Sequence, residues 1–400
     1  MKKIVLFSVF LIAGLVCSQT IPTAVGVEVF ASYKWALNVL LYTALAFIMI
    51  NVGREFELDK SNVKSYTEDY FIAMATAAAP WIFTCLYYMY LLPEGSFASW
   101  DAWKENLILS RFAAPTSAGI LFAMLAGAGL RKSWIYKKTH VLAIFDDLDT
   151  ILLMIPLQIF MIGMKWQLAV IVLVIVFCLY MGWSKLGKFN MKQDWKSIIF
   201  YSIILVAMFE GVYNISKNMF GAEAAIHIEV LLPAFVLGMV MKHQHGEPSK
   251  NEENIATAIS YIFMFLVGIS SPLFVGVDFS QTGGTSVLAS VGAMSWGEII
   301  GHVCVVTTIT NLGKMVPIFF YRDRLLSERL ALSIGMFTRG EVGAGIIFVA
   351  IGYNIGGPLL AISLLTLVAN LILTGFFVVI VKHLAVKSEK RLIELGMSES

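Results

Sequence analysis

The feature that most constrains this chain is the recurrence of apolar runs long enough to cross a bilayer, from its first residues to near its last. A hydrocarbon core about 30 Å thick takes about 20 apolar residues to cross as a helix. Twelve such runs can be read, centred near Phe10, Thr43, Ala79, Gly119, Leu152, Val174, Leu205, Pro233, Phe265, Thr307, Ile346 and Val368. Of 400 residues 58% are hydrophobic and 14% charged, far more apolar surface than a water-soluble domain can bury. Lipid offers the backbone no hydrogen bonds, so the chain must satisfy its own; the expected fold is an all-α polytopic membrane protein of about 12 transmembrane helices.

The polar stretches 181–196 and 242–254 are too short to enclose a core and read as loops. The runs group into a leading segment at 1–35, a first half at 36–164, central spans at 165–253, a second half at 254–386 and a tail at 387–400. With a cytoplasmic amino terminus, 22 of the 29 Lys and Arg residues fall in inside segments and four (Lys34, Lys104, Lys165 and Lys217) in outside segments. That bias fixes the orientation, because basic loops are retained on the cytoplasmic side. Both termini are then cytoplasmic. Lys2, Lys3, the apolar stretch to Val16 and small residues around Ser18 also fit a cleavable signal peptide; the retained span is the preferred reading.

Function classes fall away by what the chain lacks. Cys17, Cys85, Cys178 and Cys304 lie in apolar runs without CxxC or Cys/His spacing, which speaks against disulfides and zinc. No glycine-rich phosphate loop supports ATP-driven transport, no cofactor motif appears, and nothing suggests nucleic acid as a partner. Ion gradients are the remaining source of drive.

Three signals carry chemistry. Asp146, Asp147 and Asp149 begin a long apolar run, where an ionised carboxylate costs roughly 2.5–3.5 kcal/mol and therefore needs a polar cavity or a partner. Counted from about Thr139, Asp147 lies roughly 12 Å below the cytoplasmic surface. Lys314 lies at similar depth in the run 305–320, and an ammonium beside a carboxylate lets both stay charged. Its alternative is a lysine snorkelling to the interface. Third, Pro115, Thr116 and Ser117 interrupt one span, and Arg339, Gly340 and Glu341 another. A helix interrupted in lipid exposes carbonyls and amides that can bind ions. Arg339 and Glu341 could equally compensate helix dipoles where the breaks cross. Glu210, Glu298, His302, Arg111 and Asn51 are less informative. Carboxylate, hydroxyl and carbonyl oxygens suit a hard monovalent cation. An internal repeat is suggested by 46–53 echoing 261–268, each followed two spans later by a helix breaker.

In this order the segments FIMINVG, APTSAG, FDD, FMFLVG, NLGK and GMFTRGEVG resemble the cation/proton antiporter superfamily, in particular bacterial sodium/proton antiporters of the two-aspartate, electrogenic kind. The resemblance spans roughly 36–382. It implies a core of two inverted repeats with crossed discontinuous helices, a dimerisation domain around the central spans, a homodimer in the bacterial inner membrane, and elevator-like alternation. It implies that Asp147 binds the cation, Na+ or Li+, or protons, with Asp146 and Thr116 beside it. Lys314 is implied to be the partner of Asp146 and the proton switch, and Pro115, Ser117, Arg339, Gly340 and Glu341 form the crossing. Asp149 and Asn51 are secondary candidates. Two departures bear on ion choice: the first break lacks an acidic residue found in some relatives, and Asp149 adds a third carboxylate. K+/H+ exchange and a sodium-coupled symporter of the bile-acid type are alternatives. An intramembrane aspartyl protease, from a different class, would need aspartates on two helices, whereas neighbours on one helix point about 100° apart.

Overall fold

A computed structural model describes residues 2–55, 63–131, 133–162, 166–220, 230–242, 250–270, 287–291, 294–353 and 355–394. The end of the expected tail, 395–400, lies outside the described residues, while 387–394 continue the last helix. Among the described residues the structure is helical, with one isolated bridge between Phe189 and Met241.

The helices are α1 (Lys2–Val25), α2 (Val27–Glu55), α3 (Val63–Leu91), α4 (Trp100–Ser110), α5 (Ala118–Gly127), α6 (Trp134–Ile162) and α7 (Trp166–Ser184). They continue with α8 (Trp195–Phe220), α9 (Leu231–Val240), α10 (Lys250–Ile269), α11 (Trp296–Gly313), α12 (Leu326–Gly335), α13 (Glu341–Gly352) and α14 (Pro358–Glu394). Each of the twelve expected positions falls on a helix or an interrupted pair. Among the described residues, six helical segments are long and apolar enough to cross a membrane: Glu28–Asn51, Lys64–Leu91, Trp195–Met219, Lys250–Ile269, Trp296–Phe319 and Pro358–Leu392. The α6 helix has the 29-residue length of α3 but carries three aspartates. Large apolar side chains such as Leu173, Phe200, Met219 and Phe376 are more than half exposed, an outer surface suited to lipid rather than water.

Helix ends follow local chemistry. Ser295 and Glu298 form a capping box at the start of α11, the serine hydroxyl accepting from the Glu298 N–H and the carboxylate from the Ser295 N–H. At α6 the Ser133 hydroxyl accepts the Tyr136 N–H. Thus α6 begins at Trp134, and Lys137 and Lys138 lie within the helix rather than in a loop. Asp147, counted from that start, is about 20 Å along the axis instead of 12.

The chain divides into two compact units. One comprises Met1–Val9, Asn62–Leu157 and Leu273–Ser400, the other Phe10–Ser61 and Gln158–Pro272. In the second unit, α2 packs against α8, α9 and α10. Two glycine pairs bring backbones together there. A Cβ on Gly14 would strike the Phe265 carbonyl and lie 3.0 Å from Gly268 Cα; one on Gly238 would strike the Ile50 carbonyl and lie 2.9 Å from Gly53 Cα. Gly14 thus meets α10 as Gly238 meets α2. In the first unit α3 packs on α4 and α11, and α14 packs on α11, α12 and α13.

Candidate functional site

The candidate site is built entirely within the first unit, where α4–α5 and α12–α13 are each interrupted. After α4 a short 3-10 turn (Arg111–Ala113) leads into Pro115, Thr116 and Ser117 before α5 resumes. Proline has no N–H to continue the ladder. The Thr116 N–H is thereby released to donate to Asp146 Oδ2 at 2.7 Å. An anion beside the first turn of a helix is favourably placed against the helix dipole.

Lys314 meets the same oxygen. Its Nζ donates to Asp146 Oδ2 at 2.9 Å, and both side chains are wholly buried. The α11 helix ends at Gly313 and Lys314 is its C-cap, within the membrane-length segment Trp296–Phe319, and a cation at a helix C-terminus complements the dipole. Gly313 determines this placement: a Cβ there would lie 2.6 Å from Pro80 Cα on α3. Snorkelling is excluded by the full burial of Lys314 and its contact with Asp146. Asp146 Oδ1 is buried and accepts no hydrogen bond.

The two breaks cross. The Ser117 N–H donates to the Thr338 carbonyl at 3.0 Å, and the Thr116 hydroxyl to the Met336 carbonyl at 3.2 Å. Arg339, 1% exposed, donates to the carbonyls of Pro115, Met336 and Thr310, which belong to both breaks and to the last turn of α11. Its guanidinium therefore neutralises helix C-termini. Gly340 is small of necessity, since a Cβ would lie 2.6 Å from Ser117 Oγ. The side chain of Glu341 lies outside the described residues.

Asp149 is turned elsewhere. Arg111 Nη2 approaches Asp149 Oδ2 at 3.4 Å and its backbone carbonyl at 3.1 Å, while the guanidinium stacks over Trp81 with 4.3 Å to the ring centroid. The sequence gives no hint of Arg111's partner, an aspartate 38 positions away. Asp147 is 1% exposed, and its charge and that of Arg339 reach Lys314. Asn51 belongs to the second unit, where its Oδ1 accepts from Arg54. His302 pairs with Tyr87 and Glu298 caps α11, so neither is in the crossing. Among the described residues, the aspartates do not converge with other His, Cys or acidic ligands into a three-ligand metal cluster. Among the described residues, three buried acids, Asp146, Asp147 and Asp149, and three buried bases, Arg111, Lys314 and Arg339, lie around the breaks.

No family model and no curated protein matches the chain. Among solved structures it is similar to the sodium proton antiporter MjNhaP1 from Methanocaldococcus jannaschii at pH 8, with a TM-score of 0.48 and 11% identity over 97% of this chain and 91% of that one. A likeness of that degree between two helical chains assigns neither an activity nor a residue.

Proposed function

We propose that the chain is a secondary transporter, not an enzyme, that exchanges protons for Na+ or Li+. The observation that carries this reading is the wholly buried Asp146–Lys314 pair at the crossing of two interrupted helices. A buried ion pair is weak evidence for stability, because desolvation offsets most of its attraction. Its placement among released amides and carbonyls is what ion exchange requires. Asp147 binds the cation or a proton, Asp146 shares a proton economy with Lys314, and Thr116 orients Asp146 through its N–H.

Coupling follows from competition. A cation and protons compete for the carboxylates of Asp147 and Asp146, and low dielectric disfavours a site that holds both, so entry of the cation is linked to departure of the protons those carboxylates carry. Two carboxylates taking protons against one monovalent cation make the exchange electrogenic. Only a loaded or protonated site crosses the apolar barrier cheaply, which yields alternating access by population shift. The matched glycine pairs, Gly14 on Gly268 and Gly238 on Gly53, support two inverted repeats, with all twelve helical positions as membrane segments. On this reading the first unit is the transport core, the second the dimerisation domain, and the protein a homodimer in the bacterial inner membrane with both termini cytoplasmic.

The test is proton flux in proteoliposomes against Na+, Li+ and K+ gradients. Wild type exchanges, and Asp147→Asn, which keeps size and shape, folds but does not. Cation-dependent proton flux persisting in Asp147→Asn rejects the assignment; substrate-dependent sodium uptake without proton movement favours the bile-acid type of symporter.

A further inference from the structure

A second buried acid lies outside the crossing. Asp69, on α3, is 2% exposed, and Lys138 on α6 donates to both its oxygens, at 3.0 and 2.8 Å. The Tyr321 hydroxyl donates to Asp69 Oδ1 at 2.7 Å. Burial, and then the Asp69 carboxylate, push the Tyr321 phenol well above its usual range, so it remains a donor at every working pH. Tyr321 also has a positive φ (50°), a conformation that bulky residues keep only when their surroundings hold them. Lys138 lies 5.2 Å from the Tyr321 ring centroid, and Trp134 packs edge-on against the same ring.

Each partner of Asp69 leads to one member of the Asp146–Lys314 pair. Lys138 precedes Asp146 on the same helix by about 12 Å of rise. Tyr321 follows Lys314 across the 3-10 turn Val316–Phe319, whose Ile318 carbonyl is held from the other side by Arg329. Asp69 thus joins the helix that carries the acid to the segment that leaves the lysine.

We propose that Asp69 is a positioning residue, fixing Lys314 against Asp146 by holding Tyr321 and Lys138 together. Its consequence for transport rests on the antiport reading; its geometry does not. Bio-orthogonal spin labels replacing exposed Lys137 on α6 and Phe319, 68% exposed, report the α6-to-turn distance. Wild type gives a narrow distribution, and Asp69→Asn and Tyr321→Phe a wider one. In proteoliposomes both variants raise KM for the cation at least about fivefold with kcat within about twofold, since small misplacements of binding groups are costly. Lys138→Arg, which keeps charge and reach, stays near wild type. Unchanged distances in both variants overturn the proposal, as do widened distances with unaltered KM. Should Asp69→Asn not fold, Tyr321→Phe decides alone. Should wild type not exchange ions at all, the antiport reading fails and the distances still decide whether Asp69 holds the two segments.

Discussion

Replacing Lys314 by methionine measures what the central pair is worth. The stem keeps its volume while the charge disappears, and Asp146, 0% exposed, retains the Thr116 N–H as its remaining hydrogen-bond donor. Removing one member of a buried pair leaves an uncompensated charge in low dielectric, which costs roughly 3–5 kcal/mol. Removing both charges is often neutral or stabilising when the replacements pack well. The double variant Lys314→Met with Asp146→Asn should therefore lie within about 1 kcal/mol of wild type, giving a coupling of several kcal/mol in the cycle. Denaturant unfolding of purified protein in mild detergent at neutral pH reads all four corners. Lys314→Met as stable as wild type, or the double variant no better than the single, refutes the argument that the pair is mutually dependent.

Two further substitutions probe the neighbours. Gly340→Ala places a methyl 2.6 Å from Ser117 Oγ, an overpacking expected to cost about 1–3 kcal/mol and to slow exchange; thermal unfolding and flux check it, and Ser117→Gly in the same chain should relieve it. Arg111→Met strands Asp149 and should destabilise by roughly 3–5 kcal/mol, with Asp149→Asn restoring stability. If that restored double variant folds but no longer exchanges, Asp149 is an ion ligand after all.

Much of the fold was legible because lipid is a demanding solvent. Run length and hydropathy placed the helices, and Pro115 and Gly340 marked the interruptions, since a missing N–H and a missing Cβ are properties of single residues. Helix ends were harder. Counted from hydropathy, the run carrying the aspartates starts near Thr139, whereas α6 begins at Trp134 behind the Ser133 hydroxyl and takes in Lys137 and Lys138, the latter facing Asp69. The end of α11 was hidden inside an apolar run, at Gly313, where a Cβ would lie 2.6 Å from Pro80 Cα.

The charged residues were legible and their pairing largely was not, for a physical reason. That Asp146, Asp147, Asp149, Arg111, Lys314 and Arg339 each need a partner follows from their burial cost alone. Which partner each takes depends on direction around a helix: Asp147 points about 100° away from Asp146, and Asp149 about 60° from it on the other side, one turn onward. Three acids that are neighbours in sequence therefore enter three different environments. Asp149 faces Arg111, which stacks over Trp81, Asp146 faces Lys314 and the amide freed by Pro115, and the charge of Asp147 reaches Lys314. Arg339, which the sequence left open between an ion-site charge and a compensator of helix dipoles, is taken up by three carbonyls at helix ends. An interrupted helix creates this demand itself: its exposed carbonyls need a cation as much as any aspartate does, so a basic residue at a break is as readily a cap as a counter-ion.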